Sequence, residues 1–185
     1  MTPMLERRIK IVVVLAMLST SLTSVRAQTA PTLKFTAPSG WIEEKTSSAM
    51  RVAQYKLPKA DGDSQDASLV VYFFGQGQGG GAEANIERWI GQMKQPDGSN
   101  SKEKAREENL TVNGLKVTAV AVSGTYTAEM APGSATFHND PNYRLRAAVI
   151  ETPKGSYYLK LVGPEKTIAK WDKSVNEFVG SLRFE

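Results

Sequence analysis

A single histidine, no cysteine and carboxylates at short spacings bound the chemistry open to this chain of 185 residues. Nucleophilic catalysis by serine requires a base beside the nucleophile, and His138 is the sole imidazole available. It sits in His138-Asn139-Asp140 with no G-x-S-x-G elbow anywhere in the chain, and a histidine in a polar loop is ordinarily solvated. One imidazole and no thiol do not make a zinc site of the usual ligand set. Glu83 and Glu87 stand one helical turn apart, as paired carboxylates for acid–base work would, but helix charges at this spacing ordinarily face water. Asp61-Gly62-Asp63-Ser64-Gln65-Asp66 opens like a calcium loop, with oxygen ligands at alternate positions. Its glycine falls second instead of sixth and Tyr72 stands where the bidentate glutamate belongs, so the stretch reads as a solvated loop.

Gly75-Gln76-Gly77-Gln78-Gly79-Gly80 matches G-x-G-x-x-G between an expected strand and an expected helix. A dinucleotide fingerprint also requires a return into a parallel apolar strand with an acidic residue about 20 positions on. Here the helix runs into polar residues and Asp97. The glycines are therefore read as a crossover with unusual backbone angles, with anion binding at the helix start as the lesser reading. Just beyond it, Asn85, Arg88 and Trp89 bring an amide, a guanidinium and an indole together on one helix. This trio is the candidate ligand contact, suited to a carbohydrate or an acidic peptide. The competing reading puts Trp89 in the core, Arg88 along the surface and Asn85 back against the glycine loop. Tyr157 and Tyr158 are candidates for a binding face, or for cross-strand packing. No residue is assigned to catalysis, to a cofactor or to a metal.

These side chains need a frame, and the stretch 69–93 supplies its centre. Residues 68–74 are apolar on both alternating faces, which calls for a strand covered on two sides. From Ala82, Ile86, Trp89, Ile90 and Met93 recur at three and four, forming one helical stripe that needs a sheet beneath it. Upstream, 33–36 alternates as a first strand, Pro38-Ser39-Gly40 turns the chain, and 49–57 reads as a half-buried strand. Residues 58–66 are a polar excursion. Downstream, 95–104 is polar, with Pro96-Asp97-Gly98-Ser99 as a surface bulge. Strands 105–112 and 115–126 flank Asn113-Gly114, whose residues tolerate the positive φ of a type I′ hairpin turn. Residues 127–142 read as a long loop. Strands 143–151 and 157–162 flank a second turn at Pro153-Lys154-Gly155. Pro164 opens a closing helix whose buried face is Ile168, Trp171, Val175, Phe178, Val179 and Leu182. The expected fold is α+β: a mostly antiparallel sheet of about six or seven strands with two main helices, a sandwich in one domain spanning 33–185.

Residues 1–27 read as a secretory signal peptide, with Arg7, Arg8 and Lys10 ahead of the apolar run from Ile11 to Leu18. That run is shorter than the roughly 20 apolar residues a bilayer span requires, so no integral membrane segment is expected after cleavage, and 28–32 is a short disordered lead. Set aside, the signal's four basic residues and one acidic residue leave the remainder at about +1, against +4 for the whole chain. The concentrated basic footprint of a nucleic-acid binder is gone. An exported chain without cysteine relies on its hydrophobic core instead of disulfides. The expected location is periplasmic or extracellular.

The opening Phe35-Thr36-Ala37-Pro38-Ser39-Gly40-Trp41, the meander after it and the terminal helix ending Phe178-Val179-Gly180-Ser181-Leu182 resemble the PsbP-like α/β sandwich superfamily, which includes DcrB-type exported bacterial proteins. The resemblance spans nearly the whole chain after residue 27. It implies a non-enzymatic fold used for binding or assembly, with no shared active site. The leading expectation is thus a soluble exported domain that binds a protein or a cell-envelope component. Two alternatives remain open: a hydrolase or transferase acting on cell-wall or extracellular polymers through carboxylates, and a small-molecule carrier with an apolar cavity between helix and sheet.

Overall fold

Thr32 exchanges two backbone hydrogen bonds with Glu185, at 2.7 and 3.1 Å, tying one end of the folded chain to the other. The computed structural model describes residues 32–185; the expected signal segment 1–27, and the lead 28–32 apart from Thr32, lie outside the described residues.

Alternating apolar residues set the strands and three-to-four spacing sets the helices. In chain order they are β1 (Leu33–Lys34), β2 (Ile42–Glu43), β3 (Arg51–Leu57), β4 (Ala67–Phe73), α1 (Ala82–Ile90), β5 (Met93–Lys94), α2 (Ser101–Lys104), β6 (Arg106–Val112), β7 (Leu115–Tyr126), β8 (Asp140–Thr152), β9 (Gly155–Pro164), α3 (Glu165–Gly180) and β10 (Arg183–Phe184). An eight-stranded sheet runs β2-β3-β4-β9-β8-β7-β5, with β6 also on β7, and every pairing in it is antiparallel. β1 and β10 pair separately. Asn113 and Gly114 both adopt positive φ, +48° and +81°, and close the β6–β7 hairpin with Val112 opposite Leu115.

Both ribbons expected at the centre are interior. β4 lies between β3 and β9, while β7 has β8 on one side and β5 and β6 on the other. On one face α3 buries Ile168, Val175 and Phe178 against Tyr55, Leu69, Val71, Ile150, Leu159 and Leu161. Phe35 and Trp41 join that layer, their rings 5.0 and 5.3 Å from Phe178. On the other face α1 buries Ile86, Trp89 and Ile90 against Val120, Val122, Leu145, Ala147 and Val149. The two helices are offset. α3 sits over the β3–β4–β9–β8 side of one face, and α1 over β7 and β8 on the other. Each helix leaves the opposite half of its own face open.

The structure departs from expectation in several places. The sheet has eight strands instead of six or seven. α1 stops at Ile90, and Met93, expected on its stripe, begins β5 opposite Tyr126, where it is equally buried. Pairing with the end of β7 satisfies backbone that another helical turn would have left at the rim. The polar stretch 95–104 includes α2, capped by the Asn100 side chain on the Lys102 N–H at 2.9 Å. The expected loop 127–142 gives its last residues to β8 and is drawn together by a bridge between Glu129 and Phe137. Tyr157 and Tyr158, candidates for a binding face, are core residues at 4% and 1% exposure.

Candidate functional site

Helix α1 begins where the glycine loop ends, and the loop is held by its carbonyls. The Asn85 Nδ2 donates to the carbonyls of Gly79 and Gly81 at 2.8 and 2.9 Å, and the Tyr158 hydroxyl donates to those of Gln78 and Gly80 at 3.1 and 2.8 Å. A phosphate cradle presents backbone N–H groups to its ligand; four carbonyls of this loop turn toward the protein instead. The helix that follows leads to the antiparallel β5–β7 pairing, so the parallel return of a dinucleotide site does not form.

Of the sequence-derived trio, Asn85 is buried and committed to the loop, its Oδ1 accepting from Arg88 Nη2 at 2.5 Å. Trp89 lies in the core at 4% exposure. Arg88 is exposed, and its charge favours ionisation of the Tyr158 hydroxyl and disfavours the Lys160 ammonium. The structure joins Asn85 to Arg88, while Trp89 packs in the core.

The remaining candidates are placed as follows. His138 Nδ1 lies 2.8 Å from Asp140 Oδ2, with its ring 5.0 Å from that of Tyr126. Glu87 pairs with Lys102 at 2.8 Å on the surface. Asp63 accepts from the backbone N–H and the hydroxyl of Thr167, at 2.9 and 2.6 Å, capping the first turn of α3 from a distant loop, and Asp66 accepts from the Lys59 N–H at 2.9 Å.

The clearest concavity lies on the α3 face, on the half that α3 leaves open. It is a groove of about 540 Å³ between α3 and strands β6, β7 and β8. Register lays its floor out in rows: Arg106, Ala121 and Arg146 are neighbours across the sheet, and Glu108, Ala119 and Ala148 form the next row. Alanines at the centre of both rows keep the floor low, while Val175 and Val179 of α3 and Leu110 of β6 make the walls. Asp172 clamps the helix to the sheet, accepting from Arg144 at 3.0 Å and Arg146 at 2.7 Å, and Asn176 accepts from Arg146 at 2.6 Å. Burial disfavours the charge on Arg146, and Asp172 opposes that effect. At the outer rim Arg106 pairs with Glu108 at 2.5 Å. An apolar floor with ion-paired margins, three guanidiniums sharing two carboxylates, suits the docking of side chains, with spare guanidinium N–H groups left to fix orientation.

Sequence reasoning did not single out this groove. Its signal was present in Arg144, Arg146 and Ala148, which alternate onto one face of β8 in phase with the buried Ile150.

No protein-family model matches the sequence, and no curated protein matches it. Among solved structures the fold is similar to that of PA94 from Pseudomonas aeruginosa, a protein of unknown function, at 11% identity and a TM-score of 0.47, covering 77% of this chain and 96% of that one.

Proposed function

We propose that this is an exported, soluble binding domain of the periplasm or extracellular space, related to PsbP-like sandwiches, which holds an extended segment of a partner protein without transforming it. The groove over Ala119, Ala121 and Ala148 carries this reading. Its volume suits a few side chains of one extended segment. β6 forms its outer border and bears β7 on one side, with no further strand on the other among the described residues. A partner segment laid along β6 gains main-chain hydrogen bonds from the free edge and sets alternate side chains beside Leu110, from where a long one reaches across β6 toward the alanine floor. The charges on Arg106, Glu107 and Glu108 discourage indiscriminate pairing at that edge. Export is supported by the basic-then-apolar pattern of residues 1–27.

A photo-activatable side chain at Leu110 tests the proposal in cells of the source organism. The expected result is one discrete protein adduct that disappears when Ala121→Trp fills the floor, while that variant keeps its far-ultraviolet dichroism and its secretion. An adduct pattern indifferent to Ala121→Trp, or turnover of a glycan or peptide by the pure protein, would overturn it.

A further inference from the structure

The α1 face has an open half of its own, over β2, β3 and β4, and its border with α1 gathers positive charge. β9 is apolar on both faces through its middle except at Lys160, which lies between Val70 and Ala147 across the sheet. A lysine in that position must find acceptors for its ammonium. Lys160 Nζ donates to Gln92 Oε1 at 2.6 Å and to the Tyr126 hydroxyl at 3.0 Å, and lies 5.1 Å from the Tyr126 ring centroid. Both partners are neutral, and one of the three ammonium N–H groups remains.

Arg88, in the last turn of α1 and four residues before Gln92, spends one Nη2 hydrogen bond on Asn85 and keeps the rest of its fork. A third cation, Arg51, lies 5.7 Å above the Tyr72 ring and donates to Gln54 at 2.6 Å. Among the described residues, none of these three forms an ion pair with a carboxylate. The cations of the groove on the other face are all paired. A partly buried ammonium facing neutral acceptors costs stability that an apolar side chain of the same volume would not.

We infer that Arg88 and Lys160 together bind a doubly charged tetrahedral oxyanion, the phosphate group of a monoester, at the margin of helix α1. Two positive charges match a dianion, whereas one carboxylate would balance only half of them. A planar fork and a single free ammonium N–H engage different oxygens of a tetrahedral group. Phe74 is 36% exposed with its ring 5.4 Å from that of Tyr158, and Val52 and Ile42, two and three strands from β9 on the same open half, are 43% and 52% exposed. The group can therefore be carried by a lipid headgroup or by a soluble molecule, and the experiment separates them.

The full exported chain is titrated with inorganic sulfate at low ionic strength, against chloride at matched ionic strength, and followed by the amide resonances of β9 and α1. Saturable binding is expected, weakened at least tenfold by Arg88→Gln and by Lys160→Met and recovered in part by Lys160→Arg, with thermal unfolding confirming that each variant folds. Sulfate keeps its double charge from pH 7 to 10, so its affinity reports the protein. It should fall as pH rises through about 8, where Lys160 loses its proton. Tyr126 stays neutral over that range because burial lifts it to about 12, and Arg88, Arg51, Tyr72, Tyr158, Asp140 and His138 are the other charged or titratable groups around Lys160 and Tyr126.

Flotation with phosphatidic acid vesicles, compared with phosphatidylcholine alone, assigns a lipid source if binding needs both residues. Sulfate binding without flotation assigns a soluble one. Failure of sulfate to act beyond chloride, or affinity unchanged in both variants, overturns the inference. Ala121→Trp should leave sulfate binding intact, so failure of the groove proposal is separately visible.

Discussion

Lys160 and Asn85 show how much a single side chain depends on what surrounds it. Burial is the main cause that brings the Lys160 ammonium down from 10.5 to about 8, with Arg88 adding to it. The unfolded chain then holds its proton more tightly than the folded one between those values, so stability should rise with pH from about 8 to about 10, by roughly 3 kcal/mol from this group alone. Tyr126 acts in the opposite sense at higher pH. Its hydroxyl, pushed up to about 12 by burial, favours the fold below the ordinary value of 10.0, and that contribution is lost as pH climbs through 12. Urea denaturation of the wild type and Lys160→Met over pH 7–10 measures the effect: the difference between them should narrow toward pH 10. Asn85 has a simpler task. Asn85→Leu leaves two loop carbonyls and the Arg88 guanidinium without their partner, and should cost about 1–3 kcal/mol by the same denaturation measurement.

The glycine loop and the α3 cap show segments borrowing stability from elsewhere in the chain. Gly77 and Gly79 both adopt positive φ, +72° and +87°, but their surroundings differ. A Cβ at Gly77 meets nothing within 4 Å, whereas at Gly79 it would stand 2.5 Å from the Tyr158 hydroxyl. Tyr158 is 1% exposed and hydrogen-bonded to the same loop, so it has little room to yield. Gly77→Ala should cost about 1 kcal/mol from backbone strain, and Gly79→Ala roughly 1–3 kcal/mol more, with the order read from thermal unfolding of the pair. That Gly75-Gln76-Gly77-Gln78-Gly79-Gly80 is a crossover was legible in the polar run after the helix. That its carbonyls close around Asn85 and Tyr158 was not, because Tyr158 arrives from the far end of the chain. Asp63 is similar: its sequence neighbours suggest a cation loop, but its partner is Thr167 in α3.

In the molecule as a whole, two helices lie offset on opposite faces of one sheet, so two surfaces stay open at opposite halves. The α3 face offers a groove with an alanine floor and paired ions, and the α1 face offers Arg88, Lys160 and Arg51. The eight-stranded sheet lies between them, and no side chain of one surface contacts the other in the hydrogen bonds described above. Substitutions on the two should therefore combine additively. In the double variant Ala121→Trp/Arg88→Gln, the loss of the Leu110 adduct and the loss of sulfate affinity should each equal the loss in the corresponding single variant. A change beyond about 0.5 kcal/mol in either would mean that the sheet couples them.

Sequence by itself determined which residues turn inward along each segment and where the chain reverses, as the stripe Ile168, Val175 and Phe178 and the Asn113-Gly114 turn illustrate. Those properties are local: side-chain period and backbone angle are set by residues within a few positions of one another. Tertiary structure alone decided that β9 inserts between β4 and β8, that each helix covers just one half of its face, and that Lys160 meets Gln92 and Tyr126. The same alternating pattern is compatible with several strand orders, and the choice among them rests on packing between segments far apart in the chain, which no window of sequence contains.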